Sequence, residues 1–309
     1  MFWNPRRLPG RPGKTFVVTG ANAGLGYFTS EQLASTGAHV VLACRNAARA
    51  EIAATRIRER VPGASVSTLR LDVADAVDVQ HAVDVLGRLP QLHALILNAG
   101  IVHPPVDRCV TLDGSELVLA TNYLGHVQLT EGLLPVLGRT PGSRVVSLGS
   151  VISRIMDSSL DDLQLEGAYS GWKAYAQSKI ASQVYGFDLD RRLRERGQGG
   201  PAGIESLVVH PGYSISGLTP GIPGVNDVRP RKRVLDGLQL LVGAQGKHRG
   251  AYPTVRAVLD RTLSGGDYLG PRFLVRGAPV RQPATRTSRD PDVARRLRQR
   301  TALLLPESP

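Results

Sequence analysis

The chain predicts an α/β fold: a doubly wound parallel sheet with helices on both faces, a three-layer αβα sandwich. Three observations carry this expectation. Six short apolar runs lie between residues 15 and 212, segments of helical spacing separate them, and a glycine-rich turn follows the first run. The runs are "TFVVTG" (15–20), "AHVVLAC" (38–44), "SVSTLRLD" (65–72), "HALILNAG" (93–100), "SRVVSLGS" (143–150) and "GIESLVVHPG" (203–212). Most show little polar alternation, as strands do when both faces of their sheet are covered. Strand-helix-strand repetition at roughly 25–30 residues calls for right-handed βαβ units and hence a parallel sheet.

The connecting segments read in the same way. "AARAEIAATRIRERV" and "VQHAVDVLGRL" have helical length and spacing. After residue 212 the pattern loosens into "PGYSISGLTPGIPGVNDVRPR", a Gly/Pro-rich stretch that marks residues 213–250 as a binding loop or lid. "DPDVARRLRQRTALLL" reads as a helix begun by Asp-Pro, because proline fits a first turn. No change of composition marks a linker before about residue 285, so residues 1–309 read as one domain with a C-terminal extension from about 285 to 309.

Bulk properties exclude several classes. The 309 residues are 42% hydrophobic and 21% charged, ordinary values for a soluble protein. No apolar run approaches the about 20 residues that span a membrane. The basic start "MFWNPRRLPGRPGK" leads into no apolar segment of signal-peptide length, so a cytoplasmic location is the expectation. Cys44 and Cys109 belong to no Cys/His cluster, and neither a metal site nor a disulfide framework is expected. A formal charge of +12 raises the question of nucleic acid. The excess is arginine scattered along the chain, densest at "RRLRER" (191–196), "RPRKR" (229–233) and "RRLRQR" (295–300), and two of these runs read as solvated helix faces. No nucleic-acid partner is expected.

"TGANAGLG" (19–26) follows the first strand and opens a helix, with glycines at Gly20, Gly24 and Gly26. Such a turn lets the backbone come close to a pyrophosphate at a helix N-terminus, where free N–H groups point. The spacing is GxxxGxG rather than GxGxxG. "GRPGKT" (10–15) imitates the end of a Walker loop, but Leu8 stands where the first glycine belongs and the strand follows the motif instead of preceding it. At the end of the second strand, where an acid would bond the ribose of NAD, the sequence reads "CRN". Arg45 there suits a 2′-phosphate, so NADP(H) is expected in preference to NAD(H). Farther on, "WKAYAQSKIAS" sets Tyr175 one helical turn before Lys179. On spacing alone this is either a surface pair or an acid–base device.

Together these motifs resemble the short-chain dehydrogenase/reductase family in its single-domain, Rossmann-type form. The resemblance runs from about residue 13 to 215 through "TGANAGLG", "LDVAD" (71–75), "NAG" (98–100), "TNYLGH" (121–126), "VVSLGS" (145–150), "YAQSK" (175–179) and "HPG" (210–212). The spacing from Ser150 to Tyr175, the "DDLQLEG" between them and the tail pattern "DYLGP…ARRL" are similar to the retinol dehydrogenase-like branch and its bacterial relatives. The resemblance implies a dinucleotide-binding oxidoreductase domain. Thr19, Gly20, Asn22, Ala23, Gly24, Leu25 and Gly26 would form the turn under the cofactor. Asp72 and Val73 would flank its adenine, and Asn98, Ala99 and Gly100 its ribose. Pro211, Gly212 and Ser216 would border the nicotinamide. Asn122, Ser150, Tyr175 and Lys179 would be the catalytic tetrad.

Three departures stand out. Tyr27 follows Gly26 where relatives often carry a basic side chain, so one phosphate contact is missing. Gly149 precedes Ser150 where serine is commoner, and Ser216 stands where threonine is often found.

The implied chemistry is hydride exchange between nicotinamide and a lipophilic alcohol, aldehyde or ketone. Tyr175 would be the general acid/base, with Lys179 lowering its pKa and bonding the cofactor ribose. Ser150 would orient the substrate oxygen, and Asn122 would hold a water that links Lys179 to solvent. Homo-oligomers are common in the family. The alternative is a nucleotide-sensing or scaffold protein without turnover on the same fold. His210 reads as structural, while Trp172 and Tyr213 read equally as pocket lining or packing.

Overall fold

The computed structural model describes residues 4, 5, 7–156, 158, 160–228, 236, 237, 239, 240 and 243–305. Its strands are β1 (Thr15–Thr19), β2 (His39–Cys44), β3 (Ser65–Arg70), β4 (Ala94–Leu97), β5 (Ser143–Leu148), β6 (Ile204–Val209), β7 (Ser214–Ile215), β8 (Gln245–Gly246), β9 (Tyr268–Pro271) and β10 (Pro279–Arg281). Eight of them form one sheet in the order β10-β9-β6-β5-β4-β1-β2-β3, parallel throughout except for β10. The doubly wound arrangement expected from the sequence is present. Its order reverses between β1 and β4, which opens a crevice at the carboxyl ends of those strands.

All but β2 stop before their apolar runs do, because the last residues of those runs turn off the sheet. Residues 98–100, 149–150 and 210–212 lie beyond the ends of β4, β5 and β6, on the edge that carries the candidate site. Every residue of β5 and β6 is buried, whereas β3 at the sheet edge buries only Val66. Alternate side chains feed two cores. Phe16, Val18, Val40 and Leu42 pack towards α1 (Gly24–Ala34) and α2 (Ala47–Arg60). Val17, Val41, Leu95 and Val145 pack on the other face, towards α3 (Ala76–Gly87), α5 (Gly125–Gly138) and α6 (Gly171–Glu195). A short α4 (Leu117–Leu119) and a π-wound turn (Ala120–Leu124) run directly into α5.

Side chains cap most of the long helices. Asn46 accepts from the Arg49 amide, Asp75 from Val77 and Asp78, and Ser170 from Lys173; each such cap stabilises by about 1 kcal/mol. Helix α1 is different, having no side-chain cap at Ala23 and no acidic residue in its first turn. Near the other edge of the sheet, the Arg144 Nε and Nη2 donate to Glu205 at 3.1 and 2.9 Å. Its Nη1 donates to the carbonyls of Ala257 and Asp260, and Nη2 also to Leu263. This buried guanidinium ties β5 to β6 and to the end of the helix Tyr252–Leu259.

Beyond β6, β7 pairs in parallel with β8, closing the ends of the segment 213–250 onto each other. Helices α7 (Lys247–Gly250), α8 (Tyr252–Leu259), α9 (Arg286–Arg289) and α10 (Pro291–Ala302) follow. Asp290 caps α10, as its Asp-Pro start predicts. The arginine run 191–196 is only in part the solvated face expected from its charge, with Arg194, Glu195 and Arg196 exposed. Leu193 is buried, and Arg191, Arg192 and Arg194 pair with Asp188, Glu131 and Asp190. Arg298 and Arg300 of the run 295–300 pair with Asp188 and Asp161, docking α10 on α6. Excess arginine is thus partly absorbed between helices. The run 229–233 lies outside the described residues. No helix among the described residues is long and apolar enough to cross a membrane.

Candidate active site

The glycine turn is locked to the end of β4. Thr19 Oγ1 accepts from the amides of Asn98 and Ala99 at 2.9 Å each, and Asn98 Nδ2 donates to the Thr19 carbonyl at 2.8 Å. A β-carbon on Gly20 would stand 2.8 Å from Ala99 Cα, and one on Gly26 only 2.4 Å from the Gly20 carbonyl oxygen. These two glycines therefore serve close packing of strand, turn and helix. Gly24 (φ +59°) turns the chain outward, and the N–H groups of the uncapped α1 begin there. Asn22 is half-buried, Ala23 exposed, and Leu25 lies against Gly250 of the later segment.

Arg45 and Asp72 come together beside this turn, 3.8 Å apart (Nη1 to Oδ2), with the guanidinium largely exposed. Such a loose surface pair is worth at most about 1 kcal/mol. Val73 is held by a close approach, since a β-carbon on Gly125 would fall 1.7 Å from its carbonyl oxygen.

On the other side of the crevice the candidate tetrad assembles. The Tyr175 hydroxyl donates to Ser150 Oγ at 3.3 Å. Ser150 also caps the short helical turn Val151–Arg154 by accepting from the Ile152 amide at 3.2 Å, so the residue caps and faces the tyrosine at once. Lys179 is 6% exposed and its Nζ donates to the Leu148 carbonyl at 3.0 Å. Burial draws its pKa down to about 8. A β-carbon on Gly100 would lie 3.5 Å from that ammonium and 2.9 Å from Asn122 Oδ1, which places the "NAG" turn directly against the lysine.

One expectation changes here. The Tyr175 pKa is raised by burial, and only the Ser150 hydrogen bond lowers it in part. Spacing does set Lys179 one turn away, but its ammonium is bonded to Leu148 and desolvation of the phenol prevails. Asn122 sits in the π turn. Its Oδ1 accepts from the Ile101 amide at 2.7 Å, and its Nδ2 donates to Ser178 Oγ at 2.9 Å. Its carbonyl accepts from Ser182 Oγ at 3.0 Å. The small residues of α6 are buried too: Ala174 packs on Val118 and Leu165, and Ser178 holds Asn122, so they serve the helix's own packing. A water-sized cavity of about 10 Å³ lies behind, lined by Asn122, His126, Ser147 and Ser182.

Pro211 accepts through its carbonyl from Ser214 Oγ and Gln245 Nε2 at 2.9 Å each. Gly212 (φ +66°) passes 2.4 Å, measured from its would-be β-carbon, from the Val275 carbonyl. The Ser216 carbonyl accepts from the Thr219 amide at 3.0 Å. His210 is fully buried, bonded to Gln282 at 2.9 Å and pushed down to about 4 by desolvation, as a structural histidine would be. Trp172 is 67% exposed and meets the Tyr175 ring edge-on at 6.3 Å. A larger cavity of about 640 Å³, lined by Leu218, His248, Arg249, Phe273 and Arg276, touches neither Ser150 nor Tyr175.

One residue escaped the sequence reading. Gln183, buried one turn beyond Lys179, donates through Nε2 to the Ser150 carbonyl and to Ser153 Oγ, both at 2.9 Å. A β-carbon on Gly149 would lie 2.5 Å from Gln183 Cγ. The glycine before Ser150 is thus the counterpart of this glutamine. The i, i+4, i+8 series Tyr175, Lys179, Gln183 was the signal available for it.

The family model for short chain dehydrogenases matches residues 14–219. Human retinol dehydrogenase 12 is 40% identical over 208 residues, which cover 67% of this chain and 63% of that protein. Mouse retinol dehydrogenase 11 is 38% identical over 209 residues, 67% of this chain and 64% of its own length. The chain thus matches somewhat less than two thirds of either relative. Among solved structures, an uncharacterised protein of Mycobacterium paratuberculosis superposes with TM-score 0.78 and 31% identity, over 99% of this chain and 98% of its own. A short chain dehydrogenase of Burkholderia cenocepacia, in complex with NADP, gives TM-score 0.62 and 25% identity over 86% and 98%. On the family model and these identities, the chain belongs to the short-chain dehydrogenase/reductase family of NAD(P)-dependent oxidoreductases, in its retinol dehydrogenase-like branch.

Proposed function

We propose that the protein is an NADP(H)-dependent alcohol dehydrogenase or carbonyl reductase for a lipophilic alcohol, aldehyde or ketone, with Tyr175 as general acid/base. The observation that carries this reading is the convergence of two hydroxyls, Tyr175 and Ser150 at 3.3 Å, beside the buried Lys179 at the carboxyl end of β5. The residues fit a dinucleotide. An uncapped helix N-terminus without a carboxylate in its first turn faces the crevice at the switch point of the sheet, the usual seat of a pyrophosphate. Thr19, Gly20, Asn22, Ala23, Gly24, Leu25 and Gly26 would hold that group, with Asn98, Ala99 and Gly100 beside the ribose and Asp72 and Val73 beside the adenine. Pro211, Gly212 and Ser216 would close the nicotinamide end.

When bound, the cofactor supplies or accepts the hydride. Ser150 and Tyr175 donate hydrogen bonds to the substrate oxygen, and Tyr175 passes the proton. Lys179, with a pKa of about 8, is predominantly an ammonium at neutral pH. From its place against Gly100 it would reach the ribose. Asn122 fixes the Gly100–Ile101 backbone through both polar atoms of its amide. The exposed Arg45, loosely paired with Asp72, is available to a 2′-phosphate and supports NADP(H) over NAD(H). The exposed Trp172 beside Tyr175, and the retinol dehydrogenases among the relatives, support a lipophilic substrate.

The test is NADPH oxidation with a panel of long-chain and cyclic aldehydes and ketones, and NADP⁺ reduction with the matching alcohols. Tyr175→Phe should lower turnover by about 10²–10⁴-fold, and full turnover in that variant would refute the assignment. Arg45→Ala should weaken NADPH about tenfold and leave NADH unchanged.

A further inference from the structure

The turn that follows Ser150 is fastened from behind by two distant parts of the chain. Gln183 is fully buried in α6, and the two hydrogens of its Nε2 go to the Ser150 carbonyl and to Ser153 Oγ. A carbonyl can only accept, so this contact fixes which way round the amide lies. Ser153 Oγ itself donates to the Ser150 carbonyl at 2.9 Å, giving that oxygen two donors. The other end of the amide is also engaged. Gln183 Oε1 accepts from Ser288 Oγ at 3.4 Å, and Ser288 Oγ is 2.6 Å from Oγ1 of Thr285, the cap of α9.

The segment that carries Ser288 is itself anchored. Gln282 is bonded to His210 at 2.9 Å and donates through Nε2 to the Pro271 carbonyl at 2.6 Å. Arg154, at the end of the turn after Ser150, donates through Nη2 to the Pro283 carbonyl, and its guanidinium lies 5.8 Å from the centre of the Tyr268 ring. All of these contacts reach the backbone of Ser150 or the turn behind it, while its Oγ faces Tyr175. Two donors on the carbonyl fix the peptide plane that leaves Ser150, and with it the direction of the hydroxyl. Misplacement of a reacting group by about 1 Å can cost 10²-fold in rate.

We propose that Gln183 and Ser288 are positioning residues, through which the segment 282–289 sets the Ser150 hydroxyl for the reaction. This rests on the reading of Ser150 and Tyr175 given above. Neither residue faces the reacting atoms; each acts through the Ser150 backbone. Ser288 lies well beyond the last of the family motifs, at 210–212, so the site is completed by a part of the chain outside them.

Rates of the full chain with NADPH and a long-chain aldehyde test this. Gln183→Met keeps the bulk of the side chain and removes its amide. It should lower kcat about tenfold with the NADPH Kd unchanged, and Ser288→Ala should lower kcat about twofold. In a Ser150→Ala background the Gln183→Met change should cost less than about twofold, since the group it positions is gone. Hydrogen exchange of the cofactor-free proteins needs no substrate. The Ile152 amide, which donates to Ser150 Oγ, should exchange faster in both variants, and the amides of β5 at the wild-type rate. Should Gln183→Met fold poorly, Ser288→Ala carries the same cycle. Equal losses in the wild-type and Ser150→Ala backgrounds overturn the proposal, because the glutamine then acts elsewhere. Wild-type kcat in Gln183→Met, or unchanged exchange at Ile152, overturns it too and leaves the Ser-Tyr-Lys reading intact. A Ser150→Ala chain with full turnover removes that reading and this inference with it.

Discussion

Helix α6 buries one cation and two anions and surrounds them in opposite ways. Lys179, in its first half, donates to a neutral carbonyl, and burial lowers its pKa to about 8. Asp188, in its second half, is ringed by Arg191, Arg192 and Arg298. Neighbouring Asp190 pairs with Arg194 at 2.7 Å and accepts from the Ser206 amide. Matched charges of the second kind hold α10 and α6 together. A buried charge balanced only by a neutral carbonyl costs stability, and such positions concentrate where chemistry is done. One helix thus separates structural from functional charge along its length.

The contrast is broken most strongly at Asp188. Asp188→Ala leaves three guanidiniums facing one another and should cost about 3–5 kcal/mol in urea unfolding, with turnover per folded molecule preserved. Lys179→Met should do the reverse. Turnover falls by about 10²-fold or more while unfolding stability holds or rises, and a parallel loss of both quantities would erase the distinction.

The two variants also part in pH dependence. Burial lowers the Lys179 pKa to about 8 in the folded chain against 10.5 for a free lysine side chain, so the unfolded chain binds more protons between those values. Stability of the wild type relative to Lys179→Met should therefore rise from pH about 8 to about 10.5, and the full penalty should stand below 8. The gain is at most on the order of 3 kcal/mol, and identical pH profiles of the two proteins would show that the ammonium is not desolvated.

A smaller effect sharpens the picture at Gln183. Gly149→Ala should cost about 1–3 kcal/mol by overpacking, and Gln183→Ala should recover part of that cost in the double variant. Gln183→Ala alone, by freeing the Ser150 carbonyl, should lower turnover about tenfold. Additive stabilities in the cycle would mean that the two residues are not in contact.

Much of this was legible because it is local. The strands declared themselves as unbroken apolar runs, and β5 and β6 are indeed buried along their whole length. Tyr175 and Lys179 were legible because four residues make one helical turn. What stayed hidden depends on distant partners. Spacing within α6 set Gln183 on the face of Tyr175 and Lys179, but its partners Ser150 and Ser153 lie outside the helix. The run 191–196 looked solvated because its charges were visible, while Arg298, which shares Asp188 with it, arrives from far down the chain. Spacing put Lys179 beside Tyr175 but could not weigh desolvation, which here raises the phenol.

The π-wound turn at Ala120–Leu124 has a consequence for how this site tolerates change in length. A π turn closes its hydrogen-bonded ring with one residue more than an α turn. Deleting Thr121 would let α4 and α5 join as one regular helix and would rotate the Asn122 amide away from Ile101 and Ser178. The position of that amide is therefore held by a surplus residue rather than by the identity of its neighbours. Chains that have lost the surplus should be found to have lost the asparagine as well.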